Sequence, residues 1–126
     1  MKQISEFSIQ WVKFFITKTR PVKLKEGTFY AILVTTGRKS GKEHSVELKA
    51  VFYNGKFYFS RRNSNSDWLK NTMINPLVKV KFDGETFLGT ASLVSDEELA
   101  RKISQMKYSD NRAEESRIVL EVTLHE

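Results

Sequence analysis

Two dipeptides, Asn54-Gly55 and Asp83-Gly84, constrain this chain most, because each stands between runs of alternating apolar and polar residues. Asn-Gly and Asp-Gly supply the consecutive left-handed residues of the tight turn whose twist suits two paired strands. Before the first turn, His44, Val46, Leu48, Ala50 and Phe52 share one strand face. Ser45, Glu47, Lys49 and Tyr53 share the other, and only Val51 breaks the alternation. Lys56–Ser60 is then the returning strand. The second turn joins a strand carrying Val78, Val80 and Phe82 to Glu85–Leu93. Thr28–Thr36 is a nearly continuous apolar run, expected to be covered on both faces. A last strand places Ile118, Leu120, Val122 and Leu124 on one side.

Helical spacing separates these strands. Ile4, Phe7, Trp11 and Phe15 form a stripe over residues 3–19 that Pro21 ends, read as an amphipathic helix packed on the sheet or on a partner subunit. Ser66 can cap a short helix carrying Trp68, Leu69 and Met73, which Pro76 stops. Ser95-Asp96-Glu97-Glu98 reads as a capping box before Leu99, Ile103 and Met106. Residues 107–116 read as a polar linker. Strands joined mainly by hairpins, with no βαβ alternation, predict a mainly β (α+β) fold: a six-stranded antiparallel barrel in one domain over residues 1–126.

Composition narrows the chemistry. Cys is absent, which removes disulfides, thiolate ligands and cysteine nucleophiles. His44 and His125 stand alone, so no metal site is expected. Lys and Arg outnumber Asp and Glu by 21 to 15, a net +6 that favours an anionic partner. Glu6, Gln10 and Lys13 interrupt the first apolar stretch, so neither a signal peptide nor a membrane span is expected there, and the cytoplasm is the default setting.

Gly37-Arg38-Lys39-Ser40-Gly41-Lys42 packs three cations, a hydroxyl and two glycines between strands. Glycines let backbone N–H groups approach an anion, and Arg and Lys add charge-assisted bonds. The loop is not a P-loop: three residues separate its glycines instead of four, and Glu43 follows Lys42 where Ser or Thr is required. A phosphate site and a solvated turn both fit this composition. Arg61 and Arg62, coming off a strand end, are expected to meet the loop around one anion, aided by helix-start N–H groups near Ser66–Trp68.

Ile32-Leu33-Val34-Thr35-Thr36-Gly37-Arg38-Lys39-Ser40-Gly41-Lys42 resembles the opening signature of deazaflavin-dependent nitroreductase-like proteins. Trp68-x-x-Asn71 followed by Asn75-Pro76-x-Val78-x-Val80 resembles their second block. The resemblance implies the split β-barrel of the flavin and pyridoxamine-phosphate oxidase superfamily, a homodimer, and hydride transfer to a small organic acceptor. It implies a non-covalent reduced deazaflavin coenzyme, with FMN as second choice. Arg38, Lys39, Ser40 and Gly41 would hold its phosphate and tail, with His44, Arg61, Arg62 and Trp68 beside them, while Leu48 and Ser60 would line its ring. His44 stands where the family often has Arg, Glu47 replaces a usual Pro, and a glycine pair after Ser60 is missing. On this reading Arg38 and Lys39 bind ligand only, so replacing both would leave melting of the free protein nearly unchanged. Tyr30, Tyr53, Tyr58 and Lys49 are candidate proton donors. A non-catalytic ligand carrier and, less favoured, a nucleic-acid-binding barrel are the alternatives; neither nucleic acid nor membrane is the expected partner.

Overall fold

The structure, a computed structural model, describes residues 24–115 and 117–125. The amphipathic stripe at residues 3–19 lies outside them. Six strands form a closed antiparallel barrel: β1 (Gly27–Thr36), β2 (Glu43–Tyr53), β3 (Lys56–Arg61), β4 (Leu77–Phe82), β5 (Glu85–Leu93) and β6 (Ile118–Leu124). Their order around the barrel is β1-β2-β3-β6-β5-β4, with Ile32–Val34 pairing Lys79–Lys81 to close it. Helix α1 (Asp67–Ile74) links β3 to β4, and α2 (Glu97–Lys107) links β5 to β6.

Both hairpin turns form as their dipeptides require. Asn54 and Gly55 have φ of 52° and 82°, and Asp83 and Gly84 have 54° and 80°. Inside the barrel, Leu33, Phe57, Phe59, Val80, Leu120 and Val122 are fully buried. Phe29 stacks on Phe82 at 4.1 Å and meets Phe57 edge-on at 6.0 Å.

Val51 breaks the alternation of β2 because the outer barrel face is also covered there. With Tyr58 and Val119 it forms a second core against Ile103 of α2. That cover reaches only the start of β1, where Thr28 Oγ1 donates to Met106 O at 2.9 Å, and Tyr30 beyond it is 63% exposed. Ile32 is exposed too, so the described residues do not cover β1 on both faces as its apolar run suggested.

Two further expectations need correction. The cap of α2 is Asp96, whose carboxylate accepts from Glu98 N and Leu99 N, so Ser95 is not the capping residue. The linker at 107–116 is not plain loop: α2 runs through Lys107, and Asn111–Glu114 form a short 3-10 turn capped by Asp110.

Candidate functional site

Unequal pairing splits the barrel along β2. Residues 27–36 of β1 match residues 43–52 of β2 rung for rung, but β2 meets β3 only through Val51–Tyr53 and Lys56–Tyr58. Beyond Tyr58, β3 continues its ladder with β6 as far as Arg61. Among the described residues, Glu43–Ala50 therefore have no strand partner on their second edge, leaving backbone donors and acceptors for whatever enters the split. Two clefts open along this edge.

The first, about 410 Å³, lies between the 37–42 loop, the start of β2 and α1. The loop closes on itself through Gly37 N to Lys42 O at 2.8 Å and Gly41 N to Gly37 O at 3.0 Å. A Cβ on Gly37 would sit 2.6 Å from Ser40 Oγ and 2.7 Å from His44 Nε2, so no larger residue fits there without moving both. Ser40 Oγ accepts from Lys42 N and lies 3.4 Å from His44 Nε2. Among the described residues, the amides of Lys39 and Ser40 have no partner, and the Lys39 side chain has no ion-pair partner, since Asp67 of the same cleft pairs with Arg38.

Arg38 is differently placed. Its Nη1 and its backbone N both donate to Asn71 Oδ1, at 2.8 and 3.2 Å, and Nη2 reaches Asp67 Oδ1 at 3.4 Å. Asn71 Nδ2 donates to Thr35 Oγ1, and Asn75 Nδ2 donates to the carbonyl of Thr36. The two asparagines thus pin α1 onto the end of β1, and Arg38 is the clasp between helix and loop.

The second cleft, about 430 Å³, lies further along the same edge, where Leu48 and Lys49 face Ser60 and Arg61 of β3. Its far wall is the end of α2 and the segment leading to β6. Lys107 Nζ donates to Ser60 Oγ at 3.0 Å and to Ser60 O at 3.3 Å. The ring of Tyr108 lies under four cations: Arg112 at 4.3 Å, Arg117 at 5.0 Å, Lys107 at 5.2 Å and Lys49 at 5.8 Å. Burial, then the like charges of Arg117, Lys49, Arg61 and Arg112, push the Lys107 ammonium down to about 8. Phe59 of this cleft meets Trp68 of the first edge-on at 6.4 Å, and the pair forms the partition.

The expected site residues are therefore divided. Arg38, Lys39, Ser40, His44 and Trp68 border the first cleft, and Leu48, Ser60 and Arg61 border the second. Gly41 lies at the loop turn with φ of 72°, outside both linings. Arg61 and Arg62 do not join the loop around a single anion: Arg61 faces the second cleft, and Arg62 pairs with Glu115 at 3.4 Å. They part because successive residues at a strand end point to opposite sides. Of the candidate proton donors, Tyr58 donates to Glu121 at 2.8 Å, and burial beside that carboxylate pushes its hydroxyl up. Tyr53 packs against the α2 cluster. Tyr30 and Lys49 do reach the second cleft. Lys107, Tyr108, Arg112 and Arg117 were missed. Their signal was two cations and an aromatic residue within the 107–116 stretch that looked like linker, with Arg117 directly after it.

Among the described residues, no group of three or more His, Cys, Asp or Glu could hold a metal ion. No described helix is long and apolar enough to cross a membrane. An antiparallel barrel split along one strand, with a basic glycine-bounded loop at the mouth of the split, is the split-barrel architecture. The family model described as F420H(2)-dependent quinone reductase matches residues 16–122, and the chain belongs to that family. It is a deazaflavin-dependent oxidoreductase whose cofactor is the reduced deazaflavin.

Solved structures agree on the fold. One described as an F420-H2 dependent reductase is 26% identical, covering 74% of this chain and 92% of its own, with a TM-score of 0.59. A second, described as a domain-swapped dimer, is also 26% identical, covering 74% of this chain and 78% of its own at a TM-score of 0.60. A haem storage protein from Vibrio cholerae shares the fold at 17% identity and a TM-score of 0.61, covering 77% of this chain and 82% of its own. No curated protein matches the chain.

The first cleft fits the phosphate of such a cofactor. It offers two unpartnered amides in a loop that Gly37 keeps tight, with an uncompensated ammonium on Lys39.

Proposed function

We propose that the chain reduces a small organic acceptor of quinone type, with the cofactor's phosphate in the first cleft and its ring laid along the open edge of β2 toward the second. Lys39 and the amides of Lys39 and Ser40 hold the phosphate, and His44 and Ser40 Oγ border it. Leu48 and Ser60 flank the ring. The cofactor, when bound, supplies a hydride to the acceptor. A quinone that takes a hydride needs one more proton to become the hydroquinone, and Lys107 Nζ holds one at neutral pH beside Ser60. The observation that carries this reading is the pair of clefts along one strand edge left unpaired by the described residues, with Trp68 lining one, Phe59 the other, and the two rings in edge-on contact.

Self-association belongs to the same reading. Leu77 and Leu88, 64% and 53% exposed, border one groove on the β4–β5 side of the barrel that also reaches Val34 and Thr36 of β1, and they suit the face of a homodimer. The cytoplasm is the proposed setting, and neither nucleic acid nor a membrane is the proposed partner.

Fluorescence titration with the deazaflavin coenzyme and with FMN tests the cofactor site. The coenzyme binds more tightly than FMN, and Lys39→Ala weakens it about tenfold, as expected for one charge-assisted bond of about 1.5 kcal/mol. Tighter binding of FMN, or no effect of Lys39→Ala, overturns the assignment.

A further inference from the structure

The second cleft holds more positive charge than a neutral quinone needs. Lys49, Arg61 and Lys107 line it, and none has an acidic partner among the described residues. Arg112 and Arg117 complete the ring of cations around Tyr108. Each of these two is held by a neighbouring carboxylate, Arg112 by Asp110 and Arg117 by Glu115. Glu47 is the one carboxylate in the lining.

Like charges do not gather in a concave, half-buried place without cost. The buried Lys107 ammonium is the group that bears it, since four cations and no anion act on it. Arg117 adds to the same field: its side chain is only 9% exposed, and its guanidinium lies 5.0 Å from the Tyr108 ring centroid. An anion in this cleft would relieve the repulsion.

From this convergence we infer that the second cleft takes a negatively charged acceptor, one bearing a carboxylate, sulfonate or phosphate group beside its reducible ring. The anionic group sits among Lys49, Arg61 and Lys107, and the ring lies toward Leu48 and Ser60. Lys49, Lys107, Arg112 and Arg117 gather over the single ring of Tyr108 in a cleft of about 430 Å³, with Arg61 close enough to act on Lys107. That shape suits a compact anion better than the cofactor's own extended acidic tail. The inference rests on the proposed function for the acceptor's being reduced there, but not for its binding.

Two acceptors separate the cases: 2-methyl-1,4-naphthoquinone, which is neutral, and 1,4-naphthoquinone-2-sulfonate. With the cofactor-loaded protein, kcat/KM for the sulfonate exceeds that for the neutral quinone by at least about tenfold, and Lys49→Gln/Arg61→Gln brings the ratio to within about twofold of unity. Calorimetric titration of the sulfonate into the protein carrying oxidised cofactor shows the same loss of affinity in the double variant, and Lys107→Met reproduces it separately. If the sulfonate binds with this pattern and neither quinone is reduced, the anion cleft stands and the proposed reaction falls. If both quinones are reduced at equal rates and the double variant leaves the ratio unchanged, the reaction stands and the anion inference falls. Cofactor forms with long and short acidic tails provide the last arm. If the double variant weakens only the long-tailed form and leaves sulfonate binding intact, the cations serve the cofactor, and the inference is overturned.

Discussion

Arg38 supports the fold as well as facing the cofactor cleft, and replacing it by Ala tests that role directly. Its guanidinium makes the shorter of two bonds to Asn71 Oδ1, 2.8 Å against 3.2 Å from its own backbone N. Asn71 is 4% exposed, and its other end is committed to Thr35 Oγ1, itself buried. Truncation leaves a buried amide oxygen with one long bond. A hydrogen bond to a charged group is worth about 1.5–3 kcal/mol. The remaining backbone donor and entering water offset part of this. The Asp67 carboxylate is 84% exposed, so its ion pair adds at most a few tenths. A loss of about 1.5 kcal/mol follows, and for a domain of this size that lowers Tm by about 5–7 °C. Thermal melting of the cofactor-free protein measures it, with Lys39→Ala as the control that does not move. A double-mutant cycle with Asn71→Ala should give a coupling of about 1 kcal/mol. If Arg38→Ala melts within a degree of the parent, the clasp carries no weight, and the expectation of a purely ligand-binding Arg38 is restored.

Lys107 gives a pH signature. Its ammonium is depressed to about 8 in the folded protein against 10.5 ordinarily, so between those values the unfolded chain binds more protons and stability rises with pH. Lys107→Met is therefore more stable than the parent at pH 7, and the gain shrinks through pH 8 to 10.5; urea melts at three pH values check it, and a gain independent of pH refutes it. Light scattering should report a dimer that Leu88→Lys shifts toward monomer, while a parent that is already monomeric removes the β4–β5 groove as an interface.

Much of the barrel was legible because its determinants are local. Asn54-Gly55 and Asp83-Gly84 need only their own backbone preferences to turn a chain, and an alternating pattern states which residues of β2 and β6 point inward. The Gly37–Lys42 loop announced its basic, compact character for the same reason. Tertiary packing decided what pattern alone left open. Val51 is buried by α2, which arrives from some fifty residues away, whereas Tyr30 and Ile32 look like interior residues and stay exposed because the described chain does not cover them. The cap of α2 fell to Asp96, since the choice between adjacent Ser95 and Asp96 depends on where the helix axis begins. Arg38 read as a free phosphate ligand until the position of α1 put Asn71 against it. The second cleft was the least legible. Lys49, Arg61, Lys107 and Arg117 come from four separate stretches, and only the split between β2 and β3 lets the end of α2 bring them together. Charges so distant in sequence interact only once the chain has closed, because electrostatic force depends on separation in space.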